Sequence, residues 1–134
     1  MKMQNNPSSP RAVVIVVDDD RAVRNSLKFS LEVEGFAVRA YACAGDLLNA
    51  PIPPVCACFV VDQILPGMSG LDLITRLRER QISTPAILIT THPNAVVTER
   101  AKRADIRVIE KPLLGNALVD SIRAACAPHN TIQP

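Results

Sequence analysis

Short apolar runs alternate with helical patterns five times along this chain, and no other feature of the sequence limits the fold as strongly. The first run, residues 12–17, is continuous and rich in β-branched side chains, which is typical of a strand covered on both faces. Val23, Leu27 and Leu31 then recur four residues apart, which predicts the buried face of a helix that Gly35 ends. Later strands are predicted at residues 36–41, 57–61, 86–89 and 106–109, and later helices at residues 45–50, 71–78, 95–102 and 113–125.

Five strand–helix units in series favour the α/β class, because consecutive parallel strands need a crossover and such crossovers are right-handed. The predicted fold is a doubly wound, five-stranded parallel sheet in a flavodoxin-like, three-layer sandwich. A length of 134 residues suits one domain. We expect a disordered tail at residues 1–10, the folded domain at residues 11–127 and a second tail at residues 128–134.

The composition argues against several functional classes. The formal net charge is only +2, without a basic cluster, and aromatic residues make up 3%, so a nucleic-acid surface is not expected. No apolar run approaches the roughly 20 residues that a membrane span needs, and no secretory leader is visible. Cys56 and Cys58 lie in an apolar run, which favours a packing role. We therefore expect a cytoplasmic protein that binds neither nucleic acid nor membrane directly.

Polar side chains follow four of the predicted strands at their carboxyl ends, where open α/β sheets bind ligands. Clustered carboxylates repel one another unless a cation lies among them, and ligand sets made only of oxygen select Mg²⁺ or Mn²⁺. A hydroxyl and an ammonium group at the same edge would complete the parts needed for phosphoryl transfer to a carboxylate. The residues in question are Asp18, Asp19 and Asp20 after the first strand, Asp62 after the third, Thr90 after the fourth and Lys111 after the fifth.

Each of these residues has an ordinary structural interpretation when it is taken alone. Residues 18–20 would suit the first turn of a helix, Asp62 a turn, Thr90 a helix cap and Lys111 a solvated surface. Asp20 is interpreted as a charge at the start of the first helix. The joint occurrence of the others at one edge of one sheet favours a functional site.

Four sequence segments in register carry a resemblance to a known family. They are VVDDDRAVRNSL at residues 16–27, VVDQILPGMSG at residues 60–70, PAILIT at residues 85–90 and VIEKP at residues 108–112. Over about residues 11–127 the chain resembles the receiver domain of two-component response regulators. The segments LPGMSG and IEKP are most similar to those of the nitrogen-fixation-regulator branch of that family.

The resemblance implies a set of metal ligands. Asp62 would be both the phosphoacceptor and a ligand, Asp19 a direct Mg²⁺ ligand, and Asp18 a ligand acting mainly through a water molecule. The backbone carbonyl of Ile64, two residues after the phosphoacceptor, would complete the set.

The resemblance also implies two residues that hold the phosphoryl group. Thr90 would donate a hydrogen bond to one phosphoryl oxygen and Lys111 would pair with another. The peptide bond between Lys111 and Pro112 would be cis, a conformation that X–Pro bonds reach at a cost of about 0.5–1 kcal/mol.

The function implied is that of a stand-alone receiver in a bacterial phosphorelay. It would take a phosphoryl group from a sensor histidine kinase or a histidine phosphotransfer protein. It would catalyse its own phosphorylation and dephosphorylation without being a turnover enzyme. Its output would be a contact with a downstream protein, or a homodimer formed through the fourth helix, fifth strand and fifth helix.

Three residues depart from the family pattern. Thr91 stands where Ala or Gly usually follows the conserved Thr, and we expect its β-branched side chain to crowd Thr90. Val108 stands where an aromatic residue usually serves as the switch. Ala104 stands where Gly commonly closes the fourth helix, with Asp105 after it, and because Ala has a steric cost at positive φ we expect the turn there to differ in shape. These departures favour an output that runs through rearrangement of the fourth-helix region.

Three alternative functions differ in class. A phosphate-independent interaction module would fit Thr91 and Val108 but not the complete set of site residues. A flavin-binding electron carrier of the same fold would need a phosphate loop after the first strand, where three aspartates would repel phosphate. A haloacid-dehalogenase-like phosphatase would need a hydroxyl residue after its Asp-x-Asp motif, and the run from Asp18 to Ala22 has none.

Overall fold

The computed structural model describes residues 11–113 and 115–126 of the chain, and in them five strands alternate with five helices. The predicted tails at residues 1–10 and 128–134 lie outside the described residues. The strands are β1 (Val13–Val17), β2 (Ala37–Tyr41), β3 (Cys56–Asp62), β4 (Ala86–Thr90) and β5 (Arg107–Glu110). The helices are α1 (Arg21–Val33), α2 (Ala44–Leu48), α3 (Gly70–Glu79), α4 (Ala95–Arg103) and α5 (Ala117–Cys126).

The five strands form one parallel sheet in the order β2-β1-β3-β4-β5. Alternate side chains of β1 enter two separate cores, because successive residues of a strand point to opposite faces. Ile15 packs into the core that α2, α3 and α4 cover, whereas Val14 packs into the core under α1 and α5. The predicted doubly wound, three-layer α/β sandwich is therefore confirmed.

The strand order places a crevice at one edge of the sheet. From β1 the chain runs outward to β2 and then crosses back to β3, so the order reverses between β1 and β3. The segments that follow these two strands diverge to opposite faces, which opens a crevice at their carboxyl ends. Asp18 follows β1 and Asp62 ends β3, so both lie at this point.

The cysteines of the third strand are packing residues, as the sequence predicts. Cys58 is fully buried, and burial raises the pKa of its thiol to about 12. Burial also raises the pKa of Cys56 to about 11. All four cysteines of the chain are free thiols. Within residues 11–113 and 115–126, we find no helix with the length and apolar character that crossing a membrane requires.

The turn at the end of α4 takes its left-handed conformation at Asp105 and not at Ala104, where the family commonly has Gly. Ala104 has a φ of −93°, and the left-handed residue is Asp105, with a φ of 58°. The amide of Ile106 donates to the carbonyl of Ala101 over 2.9 Å, which closes the end of the helix. Ala104 thus avoids the costly positive φ, and Asp105, a residue of the type that tolerates this region, takes the left-handed position.

Replacing Asp105 with glycine should stabilise the protein by about 0.5–1 kcal/mol, because glycine adopts positive φ without steric cost. Ala104→Gly is the matched control, and it should destabilise the protein by a similar amount since Ala104 has an ordinary φ. Urea unfolding of both variants checks the pair. Equal destabilisation by both would contradict the left-handed assignment of Asp105.

Candidate functional site

Asp18 is held in the crevice from several directions. Asp18 is fully buried, and its amide donates to the carbonyl of Tyr41 over 3.1 Å. The Arg24 guanidinium donates to the Asp18 carbonyl over 2.9 Å, and the Asp20 amide donates to Asp18 Oδ1 over 2.9 Å. The first two bonds fix the backbone of Asp18, and the third orients its carboxylate through Oδ1.

Asp62 brings a second buried carboxylate to the same place. Asp62 is only 6% exposed, and its Oδ1 accepts a hydrogen bond from the amide of Ile64 over 3.2 Å. Asp19, by contrast, is exposed. One oxygen from each of Asp18, Asp19 and Asp62 lies within 4.8 Å of the others. The structure thus brings together the three carboxylates that the sequence predicts as metal ligands.

Lys111 lies between the two buried carboxylates. Its Nζ is 3.1 Å from Asp18 Oδ2 and 3.0 Å from Asp62 Oδ2. Its amide donates to the carbonyl of Thr90 over 2.9 Å, and the bond to Pro112 is cis, as predicted. One ammonium group is thus shared by two carboxylates.

The pKa values of Asp18 and Lys111 reflect this shared contact and the burial of the two groups. Burial raises the pKa of Asp18, and the Asp62 carboxylate acts in the same direction, against the opposing effects of the Asp20 amide and Lys111. Burial lowers the pKa of Lys111, but its bonds to both carboxylates outweigh this, so its pKa lies above the usual value. Two carboxylates with one ammonium leave net negative charge, and Asp19 adds more. A divalent cation would balance that charge.

The donor set fits a hard divalent cation. The three carboxylates supply only oxygen atoms, which suits Mg²⁺ or Mn²⁺ rather than softer metals. Ile64 lies in the loop directly after Asp62, with its side chain 70% exposed. Its amide contact to Asp62 keeps its backbone beside this cluster, and its carbonyl remains the predicted fourth oxygen ligand.

Thr90 ends β4 at the same edge of the sheet and is only 3% exposed. The cap of α4 is Asn94, whose side chain accepts from the Val97 amide over 2.9 Å, so the interpretation of Thr90 as that cap is wrong. Thr91 is exposed rather than packed into the site. The crowding of Thr90 expected from Thr91 is therefore not what the structure shows.

The helix caps account for Asp20 and Ser69. Asp20 caps α1, with its side chain accepting from the amides of Ala22 and Val23. Ser69 caps α3, because its hydroxyl accepts a hydrogen bond from the Asp72 amide over 3.1 Å. Asp20 is thus a helix cap, whereas Asp18 and Asp19 face the cluster.

Two residues near the site were missed by the sequence analysis. Arg24 supports the backbone of Asp18 from the second turn of α1. Gln63 joins the end of β3 to the start of α3 through its backbone and its side chain. The only signal for Gln63 was an uncharged polar residue directly after a buried strand.

A groove borders the site on the side of Lys111. It has a volume of about 380 Å³ and lies between α1 and the segment that follows β5. Val23 and Leu27 line it on one side, and Pro112 and Leu118 on the other. The groove is mostly apolar, and Lys111 forms part of its wall.

Comparison with known proteins gives a family match over most of the chain. A sequence model described as "Response regulator receiver domain" matches residues 14–123. Nodulation protein W of Bradyrhizobium diazoefficiens is 38% identical over 119 residues, which are 88% of this chain and 52% of that protein. Transcriptional regulatory protein FixJ of Azorhizobium caulinodans is 39% identical over 115 residues, covering 84% of this chain and 54% of FixJ.

A solved structure shows the same fold. A CheY-like response regulator receiver domain protein from Methanospirillum hungatei superposes with a TM-score of 0.77 at 26% identity, covering 86% of this chain and 93% of that one. The chain spans about half the length of the curated relatives it matches.

Proposed function

Because this chain belongs to the response regulator receiver domain family, of two-component signalling, we propose that it is a switch that accepts a phosphoryl group on Asp62. Its relatives FixJ and nodulation protein W are in line with the nitrogen-fixation-regulator branch. The observation that carries the proposal is the buried Asp62 carboxylate, which lies among two other carboxylates and the Lys111 ammonium group.

The proposed reaction is a direct transfer between a phosphohistidine and Asp62. A carboxylate oxygen of Asp62 attacks phosphorus, the phosphorus–nitrogen bond breaks, and its electron pair leaves with the imidazole nitrogen. A Mg²⁺ or Mn²⁺ ion held by Asp18, Asp19, Asp62 and the Ile64 carbonyl would neutralise charge on the phosphoryl oxygens.

The chain's other groups position the phosphoryl product. Lys111 already binds the Asp62 carboxylate and would follow the negative charge to a phosphoryl oxygen. The Thr90 hydroxyl would donate to another oxygen. Hydrolysis at the same site would return Asp62 to its carboxylate form, so the protein would reset itself as a switch rather than turn over a substrate.

The groove beside Lys111 is the proposed docking place of the phosphodonor, a sensor histidine kinase or a histidine phosphotransfer protein. Its apolar walls suit the apolar side chains of a partner helix, and its position would bring a phosphohistidine next to Asp62. The free thiols of all four cysteines support the cytoplasm as the compartment of this encounter.

The output is proposed to be a protein contact made through the α4 region. Val108, which replaces the usual aromatic switch, is a half-buried valine on β5. Arg100 of α4 donates to Asp72 Oδ1 over 2.9 Å and to Thr75 Oγ1 over 3.3 Å on α3. A shift of α3 after phosphorylation would therefore reach α4. A homodimer through α4, β5 and α5 is one form that the contact would take.

Intact-mass measurement after incubation with acetyl phosphate and Mg²⁺ tests the proposal. We expect a gain of one phosphoryl group that hydroxylamine removes, as it removes acyl phosphates, and no gain when EDTA replaces Mg²⁺. No gain in a sample that binds Mg²⁺ would overturn the proposal. It would favour the second candidate, a phosphate-independent interaction module, to which Val108 points.

A further inference from the structure

Gln63, which directly follows the proposed phosphoacceptor, makes hydrogen bonds in three directions. Its amide donates to the carbonyl of Ile89 on β4 over 2.9 Å. Its carbonyl accepts from the amide of Gly70 over 2.9 Å, and its side-chain Oε1 accepts from the amide of Leu71 over 3.0 Å. The chain thus leaves the sheet at Gln63, forms the loop of residues 64–69, and returns to Gln63.

The side chain of Gln63 accepts a hydrogen bond from an amide in the first turn of α3, as the side chain of a helix-capping residue usually does. The first amides of a helix have no acceptor within the helix. In α3 the Gly70 and Leu71 amides are satisfied by Gln63, and the Asp72 amide by the Ser69 hydroxyl. Gln63 therefore fixes both ends of the loop, whereas Ser69 closes only the first turn of the helix.

The loop that Gln63 closes carries the backbone of Ile64. The Ile64 amide donates to Asp62 Oδ1 over 3.2 Å, which sets the orientation of the Asp62 carboxylate. The Ile64 carbonyl is the ligand that the proposed function assigns to the metal. Without the side-chain bond to Leu71, the returning end of the loop would be held to Gln63 by the Gly70 bond alone, and both groups of Ile64 would be less firmly placed relative to the carboxylate cluster.

We propose that Gln63 is a positioning residue that holds the Ile64 backbone against Asp62 and thereby sets the affinity of the cluster for a divalent cation. The Gln63 side chain bonds the α3 amide of Leu71 and acts on the cluster only through the loop. The metal part of this inference rests on the proposed function, whereas the loop part rests on the hydrogen bonds alone.

Three variants of the full chain separate this role from ordinary helix stability. Gln63→Met keeps the length of the side chain and removes the acceptor oxygen. Gln63→Glu keeps an acceptor for the Leu71 amide. Ser69→Ala removes the neighbouring cap bond to Asp72 and leaves both Gln63 bonds in place, so it is the matched control for a weakened α3.

Two measurements follow each variant: a Mg²⁺ titration followed by amide NMR, and hydrogen exchange of the Ile64 amide in metal-free protein. We expect Gln63→Met to weaken Mg²⁺ affinity by about 10-fold, the size typical for residues that orient metal ligands, and to speed exchange at Ile64. Gln63→Glu should bind Mg²⁺ at least as tightly as wild type and keep the Ile64 amide protected. Ser69→Ala should leave both readouts unchanged.

The inference is overturned if Gln63→Met leaves Mg²⁺ affinity and Ile64 exchange as they are in wild type, or if Ser69→Ala changes both as much. A different result would overturn the proposed function and leave the inference about Gln63 standing. A wild-type protein that binds Mg²⁺ in a Gln63-dependent way but gains no phosphoryl group would sustain the inference while removing the phosphoacceptor role.

Discussion

Replacing Asp62 with asparagine should abolish phosphoryl uptake and leave the metal-free protein at least as stable as wild type. The amide side chain of asparagine has no nucleophilic oxygen comparable to a carboxylate, so no acyl phosphate can form. Its carbonyl oxygen can still accept from the Ile64 amide, which preserves the local structure. Loss of the reaction together with retained stability is the signature of a functional rather than a structural residue.

The stability part follows from the charges around Lys111. The pKa of Asp18 is raised in the fold, so its protonated form stabilises the native state below a pH of about 4, and this stabilisation is lost as the pH rises through the native pKa. At neutral pH the ionised Asp18 therefore costs stability, and the Asp62 carboxylate adds to that cost. Asp62→Asn removes the second carboxylate and leaves Lys111 to pair with Asp18 alone.

With Mg²⁺ bound, wild type should become more stable than the Asp62→Asn variant. Wild type should gain about 2.7 kcal/mol at a Mg²⁺ concentration one hundred times its Kd, whereas the variant, whose ligand at position 62 is uncharged, should gain less. Thermal unfolding with and without Mg²⁺ checks this crossing, and intact mass after acetyl phosphate treatment checks the uptake.

Asp20→Asn is the control for the loss of a nearby carboxylate. Asparagine caps helices as well as aspartate does, so α1 should keep its cap and phosphoryl uptake should be normal. Uptake that survives in Asp62→Asn would show that a different residue is the phosphoacceptor.

Replacing Gly70 with alanine should destabilise the fold by about 2 kcal/mol, even though alanine is the better helix former by about 1 kcal/mol. A Cβ at this position would lie 3.0 Å from the backbone carbon of Asp62, 2.9 Å from Leu88 Cδ1 and closer still to the Asp62 carbonyl oxygen. Rotation of side chains cannot relieve contacts with the backbone, so α3 must move away from β3. Urea unfolding measures the loss, and slower phosphoryl uptake should accompany it.

Gly45→Ala is the matched control, because Gly45 also lies in a helix but a Cβ there would have no neighbour within 4 Å. That variant should be unchanged or more stable by up to about 1 kcal/mol. If Gly70→Ala were as stable as Gly45→Ala, the close approach of α3 to β3 would not exist in solution.

The fold followed from features that act locally. The apolar run of β1 and the i, i+4 spacing of Leu27 and Leu31 reflect burial on two faces and on one face, and each can be read along the chain without knowledge of its neighbours. The residues that line the crevice could be grouped for a related reason, because parallel strands bring their carboxyl ends to one edge. Neither inference required the position of any side chain.

The features that the sequence could not predict depend on the backbone geometry of single residues or on contacts between residues far apart in the chain. The left-handed position at the end of α4 falls on Asp105 rather than Ala104, since helix ends are decided by one residue of backbone geometry. The role of Gln63 depends on where the Leu71 amide lies after a loop of six residues, 64–69, and nothing in the local pattern sets that position. Lys111 was expected to contact a phosphoryl group, but its contact with Asp18 as well as Asp62 emerged only from the three-dimensional arrangement.

The placement of Lys111 makes it an internal counterion for the crevice. Two buried carboxylates require positive charge whenever they are ionised, and the lysine provides part of it without anything taken from solution. A cation bound in the crevice, as proposed, would therefore compete with a tethered ammonium group instead of filling a bare negative site. This competition would limit how tightly the ion is held, so occupancy would follow the surrounding concentration and exchange would stay easy, as the proposed switch requires if it is to be loaded and reset many times.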